Sequence, residues 1–277
     1  MTADWQQLGA ATSLVCAVDL DGTIVPFAPT PREAVLDADT LALLDALGRA
    51  PGVTLGIISG RPRDLVEDLA AKLPHIAWCA EHGVWRFANG HWDAALPPIP
   101  QLDEIERALG VLAARHPGAL VERKSCSVAL HWRRVTDTPL AGVAAAAEVI
   151  VDEWLETQPA LERLPGVDAL EVRHRAAHKG SALAWLRSRA PNGSPAMAIG
   201  DDITDEDMFV SLREGDIGVL VADRPRRTQA NLRVPSVAAA HAFLRSLVDM
   251  RAGRPVQVPD EIEIARPPQP PAAPPLI

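Results

Sequence analysis

Apolar and polar positions along this chain follow two rhythms. Over the first 83 residues, and again from residue 175, short runs that are apolar throughout alternate with longer amphipathic stretches. LVCAV (14–18), VTLGII (53–58) and IAWCA (76–80) read as strands buried on both faces, since a strand with one wet face would alternate. Between the first two, Thr30, Pro31 and Glu33 carry a cap, a first-turn proline and a capping-box acid. They predict a helix that runs through LALLDALGRA and stops at Pro51-Gly52. Pro62 opens a second helix, RPRDLVEDLAAKL. From residue 175 the rhythm continues as a helix (KGSALAWLRSRA), a strand (PAMAIG), an acidic loop and a helix from about Asp205. A strand (IGVLVA) and a last helix (VAAAHAFLRSLVDM) follow. Apolar strands separated by helices predict an α/β fold with a parallel sheet covered on both sides.

From about residue 84 to 174 the rhythm changes. Short alternating segments such as SVALHWRRV are interleaved with the helical runs IERALGVLAARH and AGVAAAAEVIVDEWL, which predicts an inserted α+β domain with its own small, partly antiparallel sheet. The expected organisation is a core of residues 1–83 and 175–254, an insertion of residues 84–174, and a tail of residues 255–277. That tail holds eight of the chain's 25 prolines and little periodicity, so it is expected to be extended, solvated and disordered. Its PxxP spacing leaves a weak protein contact open beside the plainer reading of a solvated spacer.

A formal charge of −9 argues against a basic nucleic-acid-binding face. It also requires that any anionic substrate be attracted locally, by a metal or by a few Lys and Arg side chains. Cys16, Cys79 and Cys126 lack CxxC spacing and form neither a disulfide framework nor a zinc site. No apolar stretch reaches the roughly 18 residues that a membrane helix needs, and the first residues lack a signal peptide's basic n-region. A cytoplasmic protein without membrane contact is the expectation.

Three short patches follow predicted core strands. In Asp19-Leu20-Asp21-Gly22-Thr23, two carboxylates meet an Asp-Gly turn; residues two apart on a strand point the same way, while a turn at Leu20 leaves their geometry to the loop. In Ser59-Gly60-Arg61, a hydroxyl, a loop amide and a guanidinium can hold a phosphate, although the same residues also suit an ordinary helix start. In Gly200-Asp201-Asp202-Ile203-Thr204-Asp205, a Thr204 cap and the helix dipole account for the later acids. They do not account for Asp201 and Asp202, whose charges repel unless a cation intervenes; hard oxygen ligands beside a phosphate point to Mg²⁺. Lys179, at a predicted helix start, can balance these carboxylates or remain a surface lysine.

Taken in order, Asp-x-Asp-Gly-Thr, Ser-Gly-Arg, Lys-Gly and Gly-Asp-Asp-x-x-Asp resemble the pattern of the haloacid dehalogenase superfamily. GDDITDEDMF, HKGSAL and VERKSCSVALHWR resemble stretches of its trehalose-6-phosphate phosphatase family more narrowly, over roughly residues 14–250. The resemblance implies a Rossmann-like core with an inserted cap that reads the substrate, and Mg²⁺-dependent hydrolysis of a sugar phosphate through a phosphoaspartyl intermediate. It implies Asp19 as nucleophile, Asp21 as general acid and base, and Lys179 as the catalytic cation. Ser59, Gly60 and Thr23 would bind phosphate. Asp19, Asp201 and the backbone carbonyl of Asp21 would bind Mg²⁺, supported by Asp202 and Asp205. Arg61, Glu122, Lys124, His131, Arg133 and Glu171 would contact the substrate, with a turn near residues 124–127 needed to bring Glu122 and Lys124 to the side of His131.

Three departures from the family bear on the sugar rather than the reaction: Arg173-His174 stands for Arg-Pro, Trp132 for a frequent Tyr, and Glu81-His82-Gly83 for a frequent Asn-His-Gly. A sucrose 6-phosphate or glucosylglycerol phosphate type of substrate is the alternative within the class, and a non-catalytic sugar-phosphate-binding relative the alternative outside it.

Overall fold

A computed structural model of the chain describes residues 8–28, 33–136, 139–166, 168–256 and 262–265. In chain order the elements are β1 (Leu14–Asp19), α1 (Ala38–Gly48), β2 (Val53–Ile58), α2 (Arg63–Lys72), β3 (Ala77–Ala80), β4 (Trp85–Ala88) and β5 (His91–Ala94). Then come α3 (Leu102–Ala113), β6 (Leu120–Arg123), β7 (Ser127–His131), α4 (Leu140–Leu155), β8 (Leu161–Gly166) and β9 (Ala169–His174). The chain continues through α5 (Lys179–Arg187), β10 (Ala196–Gly200), α6 (Glu206–Val210), β11 (Ile217–Val221), β12 (Leu232–Val234), α7 (Val237–Arg251) and β13 (Glu263–Ile264).

These elements divide into two compact units, Met1–Asp93 with His178–Ile277, and Ala94–Ala177. In the first, the strands form one sheet in the order β13-β12-β11-β10-β1-β2-β3-β4-β5. From β2 to β3 and from β10 to β12 the pairing is parallel, as is that of β1 with both its neighbours. β1 shows why its sequence is apolar throughout. Leu14, Cys16 and Val18 face a cluster built with α1, α2 and α7, while Val15 and Ala17 face a cluster built with α5 and α6. The chain leaves β1 toward β2 and β3 on one side and returns as β10, β11 and β12 on the other. The strand order therefore reverses between β1 and β10, and a crevice at the carboxyl ends of those strands is where such sheets bind ligands.

Three expectations change. The inserted unit starts at Ala94 rather than residue 84, because the β4–β5 hairpin pairs onto β3 and continues the core sheet. Phe87 is buried there, with Trp85 and Trp92 packed against the same apolar cluster. The first helix begins at Ala38, where the Asp37 carboxylate accepts from Thr40 N; Thr30, Pro31 and Arg32 of the expected start lie outside the described residues. Part of the tail is ordered: β13 pairs antiparallel with β12, and the Ala265 amide donates to the Asn231 carbonyl. The PxxP-bearing residues lie outside the described ones.

The second unit is a four-stranded antiparallel sheet, β6-β7-β9-β8, with α3 and α4. Val121, Val128, Leu130, Leu170 and Val172 on one face of the sheet join Ile105 and Leu109 of α3 and Val143 and Ala147 of α4. Trp132 is part of this apolar cluster. Among the described residues no helix is long and apolar enough to cross a membrane.

Candidate active site

Asp19 is the last residue of β1, at the switch point, and is 3% exposed. A carboxylate at this depth needs a partner. Lys179, the first residue of α5, supplies it: Nζ donates to Asp19 Oδ1 at 2.6 Å and to Asp205 Oδ1 at 2.7 Å. Lys179 is as buried as its partners, and although burial opposes its charge, Asp19 and Asp205 hold its pKa above the ordinary lysine value. It is a cation fixed among carboxylates, not a surface lysine.

One lysine does not balance the site. Carboxylate oxygens of Asp19, Asp201 and Asp205 all lie within 4.8 Å of one another. Burial first, then the Asp201 charge, raises Asp19 to about 6 against the pull of Lys179. Burial and the Asp205 charge raise Asp201 to about 6, and burial with the Asp19 charge raises Asp205 to about 7. Thr23 makes the shortage of positive charge visible. Its hydroxyl lies 2.8 Å from Asp19 Oδ2 and 2.8 Å from Asp201 Oδ1, yet it has one proton to donate. With both carboxylates charged, one of those contacts sets lone pair against lone pair. A hard divalent cation among these oxygens removes the conflict, and the donor set suits one.

Glycine makes this approach possible. Gly22 has φ +86°, and a Cβ there would stand 2.3 Å from Asp201 Oδ2; one on Gly200 would stand 2.2 Å from Asp205 Cγ. Asp-Gly at residues 21 and 22 is thus a turn and a site at once.

Asp21 lies outside the carboxylate cluster. Arg61 grips it with both arms, Nε to Oδ2 at 2.8 Å and one terminal nitrogen to Oδ1 at 2.6 Å, and also donates to the Ala34 carbonyl. Arg61 is buried, and Ser59 Oγ accepts from its amide at 3.1 Å, which leaves the serine hydroxyl's own proton free to donate elsewhere. Arg61 therefore belongs with Asp21 and Ser59 at the strand ends rather than with the inserted unit's residues.

The acidic loop divides its labour differently from the sequence expectation. Asp202, not Thr204, caps the turn, with its carboxylate accepting from the Ile203 amide while exposed to solvent; Thr204 is buried. Asp205 is fully buried and accepts from the amides of Asp201 and Asp202, each at 2.9 Å, as well as from Lys179. It holds the loop and the lysine together. The Asp202 side chain shares in holding the loop, through a capping box with Asp205.

In the inserted unit the expected turn is present: Lys124 N donates to Ser127 O, closing the β6–β7 hairpin around Ser125 and Cys126. Glu122 opposes Ala129, which opposes Glu171, so these positions share the sheet face opposite the apolar one, with His131 two residues along. Glu122 meets His131 at 3.0 Å and Lys124 meets Glu171 at 3.9 Å. The His131 contact holds the Glu122 carboxyl below its ordinary range. Arg133 lies past the end of β7, its side chain is 70% exposed, and it pairs with Asp168.

Two features escaped the sequence. Arg226 donates to the Asp201 carbonyl at 2.7 Å, and only the basic RPRR run after β11 hinted at a role there. Glu81 and His82, marked in the sequence only as a departure from a frequent Asn-His-Gly, are buried beside the 59–61 loop. Cys16 and Cys79 are inert core thiols, pushed up to about 12 by burial.

A model of the trehalose-phosphatase family matches residues 17–238, a span that holds every candidate site residue described above. The chain belongs to that family. Trehalose-6-phosphate phosphatase of Escherichia coli is 31% identical over 233 residues, covering 83% of this chain and 84% of that protein. A bifunctional trehalose-6-phosphate synthase/phosphatase of Thermoproteus tenax is 32% identical over 237 residues, but the chain spans only 31% of its length. Among solved structures, an Aspergillus fumigatus trehalose-6-phosphate phosphatase aligns with a TM-score of 0.69 at 24% identity, covering 90% of this chain and 97% of that one. At that identity the likeness carries the haloacid dehalogenase-like α/β fold, and the family assignment rests on the sequence match.

Proposed function

We propose that the chain is a Mg²⁺-dependent phosphatase that hydrolyses trehalose 6-phosphate to trehalose and orthophosphate. The observation that carries this reading is the cluster of buried Asp19, Asp205 and Lys179 with half-buried Asp201 at the switch point, in a chain of the trehalose-phosphatase family. Asp19, Asp201 and the carbonyl of Asp21 are the groups that would hold Mg²⁺, with Asp205 fixing the loop behind them. When bound, the ion neutralises phosphate oxygens and the carboxylate excess together.

Asp19 attacks phosphorus through one carboxylate oxygen, and the bond from phosphorus to the sugar oxygen breaks. Asp21 gives that oxygen its proton, and trehalose leaves. Water then attacks the phosphoaspartate, loses a proton to Asp21, and orthophosphate departs as the Asp19 carboxylate re-forms. In the structure both Asp21 oxygens accept from Arg61. A substrate phosphate offers Arg61 a second fork of acceptors, and with the guanidinium shifted toward it Asp21 takes up from water the proton that it passes to the leaving oxygen. Ser59 and Lys179 complete the donors around the phosphoryl group, and positioning with charge neutralisation supplies most of the catalysis of such transfers.

The inserted unit acts as the cap in this reading, with Glu122, Lys124, His131 and Glu171 as the charged face that binds sugar hydroxyls. Arg133 fits that role less well, given its exposure and its Asp168 partner. Phosphate release from trehalose 6-phosphate, sucrose 6-phosphate and glucosylglycerol phosphate, with Mg²⁺ and with chelator, tests the proposal. A preference for trehalose 6-phosphate that is lost with chelator and in Asp19→Asn supports it, and activity on another sugar alone retains the mechanism but overturns the substrate.

A further inference from the structure

The loop carrying Ser59, Gly60 and Arg61 is held by a second, strained loop. After β3 the backbone passes through three consecutive left-handed residues, Glu81 (φ 49°), His82 (φ 57°) and Gly83 (φ 101°). Glycine enters that region freely and a glutamate does so only at a cost, so the turn is kept there by its surroundings. Those surroundings are the 59–61 loop itself. The Glu81 amide donates to the Arg61 carbonyl and the His82 amide to the Ser59 carbonyl, each at 2.9 Å.

The His82 side chain adds a contact that the backbone alone does not require. A Cβ on Gly60 would stand 2.6 Å from the ring's Cε1 and 2.9 Å from Nε2. Gly60 is not left-handed, so glycine is needed there for space: the imidazole occupies the volume a side chain would fill. On the other side of the turn, a Cβ on Gly83 would stand 2.8 Å from the Ala182 methyl of α5, the helix that begins with Lys179. Arg86 ties the same two parts, donating to the carbonyls of Gly83 and Ser181.

We propose that His82 is a positioning residue: seated on Gly60 by the left-handed turn, its imidazole fixes the 59–61 loop relative to α5, so that Ser59, Arg61 and Lys179 meet one phosphoryl group. The role rests on the phosphatase reading. Its logic is that donors contributed by a loop and by a helix stabilise a transferring group only if their spacing is set beforehand.

The test compares H82N, G60A and the double variant G60A/H82G by orthophosphate binding in saturating Mg²⁺ and by thermal unfolding. Asparagine tolerates the left-handed backbone but cannot fill the ring's place. H82N is expected to keep a melting temperature close to wild type while orthophosphate binding weakens roughly tenfold to a hundredfold. G60A is expected to lower the melting temperature through the collision with the ring, and G60A/H82G to recover most of that loss because the ring is gone. Binding by H82N within about twofold of wild type, or a double variant whose loss is the sum of two independent ones, would overturn the proposal. A wild-type protein that binds orthophosphate but hydrolyses no sugar phosphate counts against the phosphatase reading instead, with the His82 comparison still decided by binding.

Discussion

Lys179 Nζ lies 2.6 Å from Asp19 Oδ1, a buried ion pair that joins the last residue of β1 to the first residue of α5. Removing the ammonium leaves the clustered carboxylates without their one fixed cation. Lys179→Met is expected to reduce kcat by on the order of 10²–10³-fold. Breaking the buried pair also destabilises the chelated protein by about 3–5 kcal/mol, read from urea unfolding. Lys179→Arg is not expected to restore activity, because a planar fork cannot occupy the point between Asp19 and Asp205. Wild-type kcat in Lys179→Met would remove the lysine from the mechanism.

The raised carboxyls predict how stability depends on pH. Asp19 and Asp201 near 6 and Asp205 near 7, against an ordinary value of 3.8, hold protons that the unfolded chain has already released. Their contribution is therefore full below about pH 4 and is lost as the pH rises through about 6 to 7. Without metal, the melting temperature should fall between pH 5 and pH 7.5 through these groups. Mg²⁺ stabilises the charged carboxylates, so it should raise the melting temperature more at pH 7.5 than at pH 5. Calorimetry at both values, with Mg²⁺ and with chelator, decides it; equal shifts would mean that no carboxylate charge is being compensated.

Gly22 and Gly90 provide a controlled pair. Both have positive φ, +86° and +78°, but a Cβ at Gly22 meets the Asp201 carboxylate while one at Gly90 meets nothing within 4 Å. Gly22→Ala and Gly90→Ala should each lose about 1 kcal/mol or more from backbone strain. Only Gly22→Ala should also raise the Mg²⁺ concentration needed for half-maximal activity, measured by titration. Parallel effects on Mg²⁺ in both variants would separate the Asp-Gly turn from the metal.

Glu122 and Glu171 share the charged face of the inserted sheet. Glu122→Gln and Glu171→Gln should raise KM for trehalose 6-phosphate by roughly tenfold or more, since a site built to hydrogen-bond hydroxyls is disturbed when its acceptors weaken. Hydrolysis of a simple aryl phosphate should change little. Equal losses on both substrates would assign these residues to folding rather than to the sugar.

The catalytic end of the core was readable because its chemistry is local. Asp19, Asp21 and Ser59 follow apolar runs directly, and Lys179 opens a helix, so strand and helix boundaries alone bring them near one crevice. Partnerships across the fold were less readable. Arg61 pairs with Asp21 over forty positions of sequence, and no spacing rule announces that partnership. The hairpin β4–β5 lies where the apolar-strand rhythm of the core breaks off, and what decides its sheet is pairing to β3. Thr204 was a reasonable helix cap, but Asp202 precedes it and reaches the Ile203 amide first. The short β13 is held by two residues' pairing at a sheet edge, which composition dominated by proline conceals.

β1 and β10 lie side by side although Val15 pairs with Ala196. During synthesis, β1 finds β2 early but waits for nearly two hundred residues before its second neighbour, β10, exists, and the inserted unit, with its own apolar cluster, can close first. A nascent chain halted before Gly200 carries Asp19 but neither Asp201 nor Asp205. Formation of the Asp19, Asp201 and Asp205 cluster is thus a late event, and it marks completion of the core.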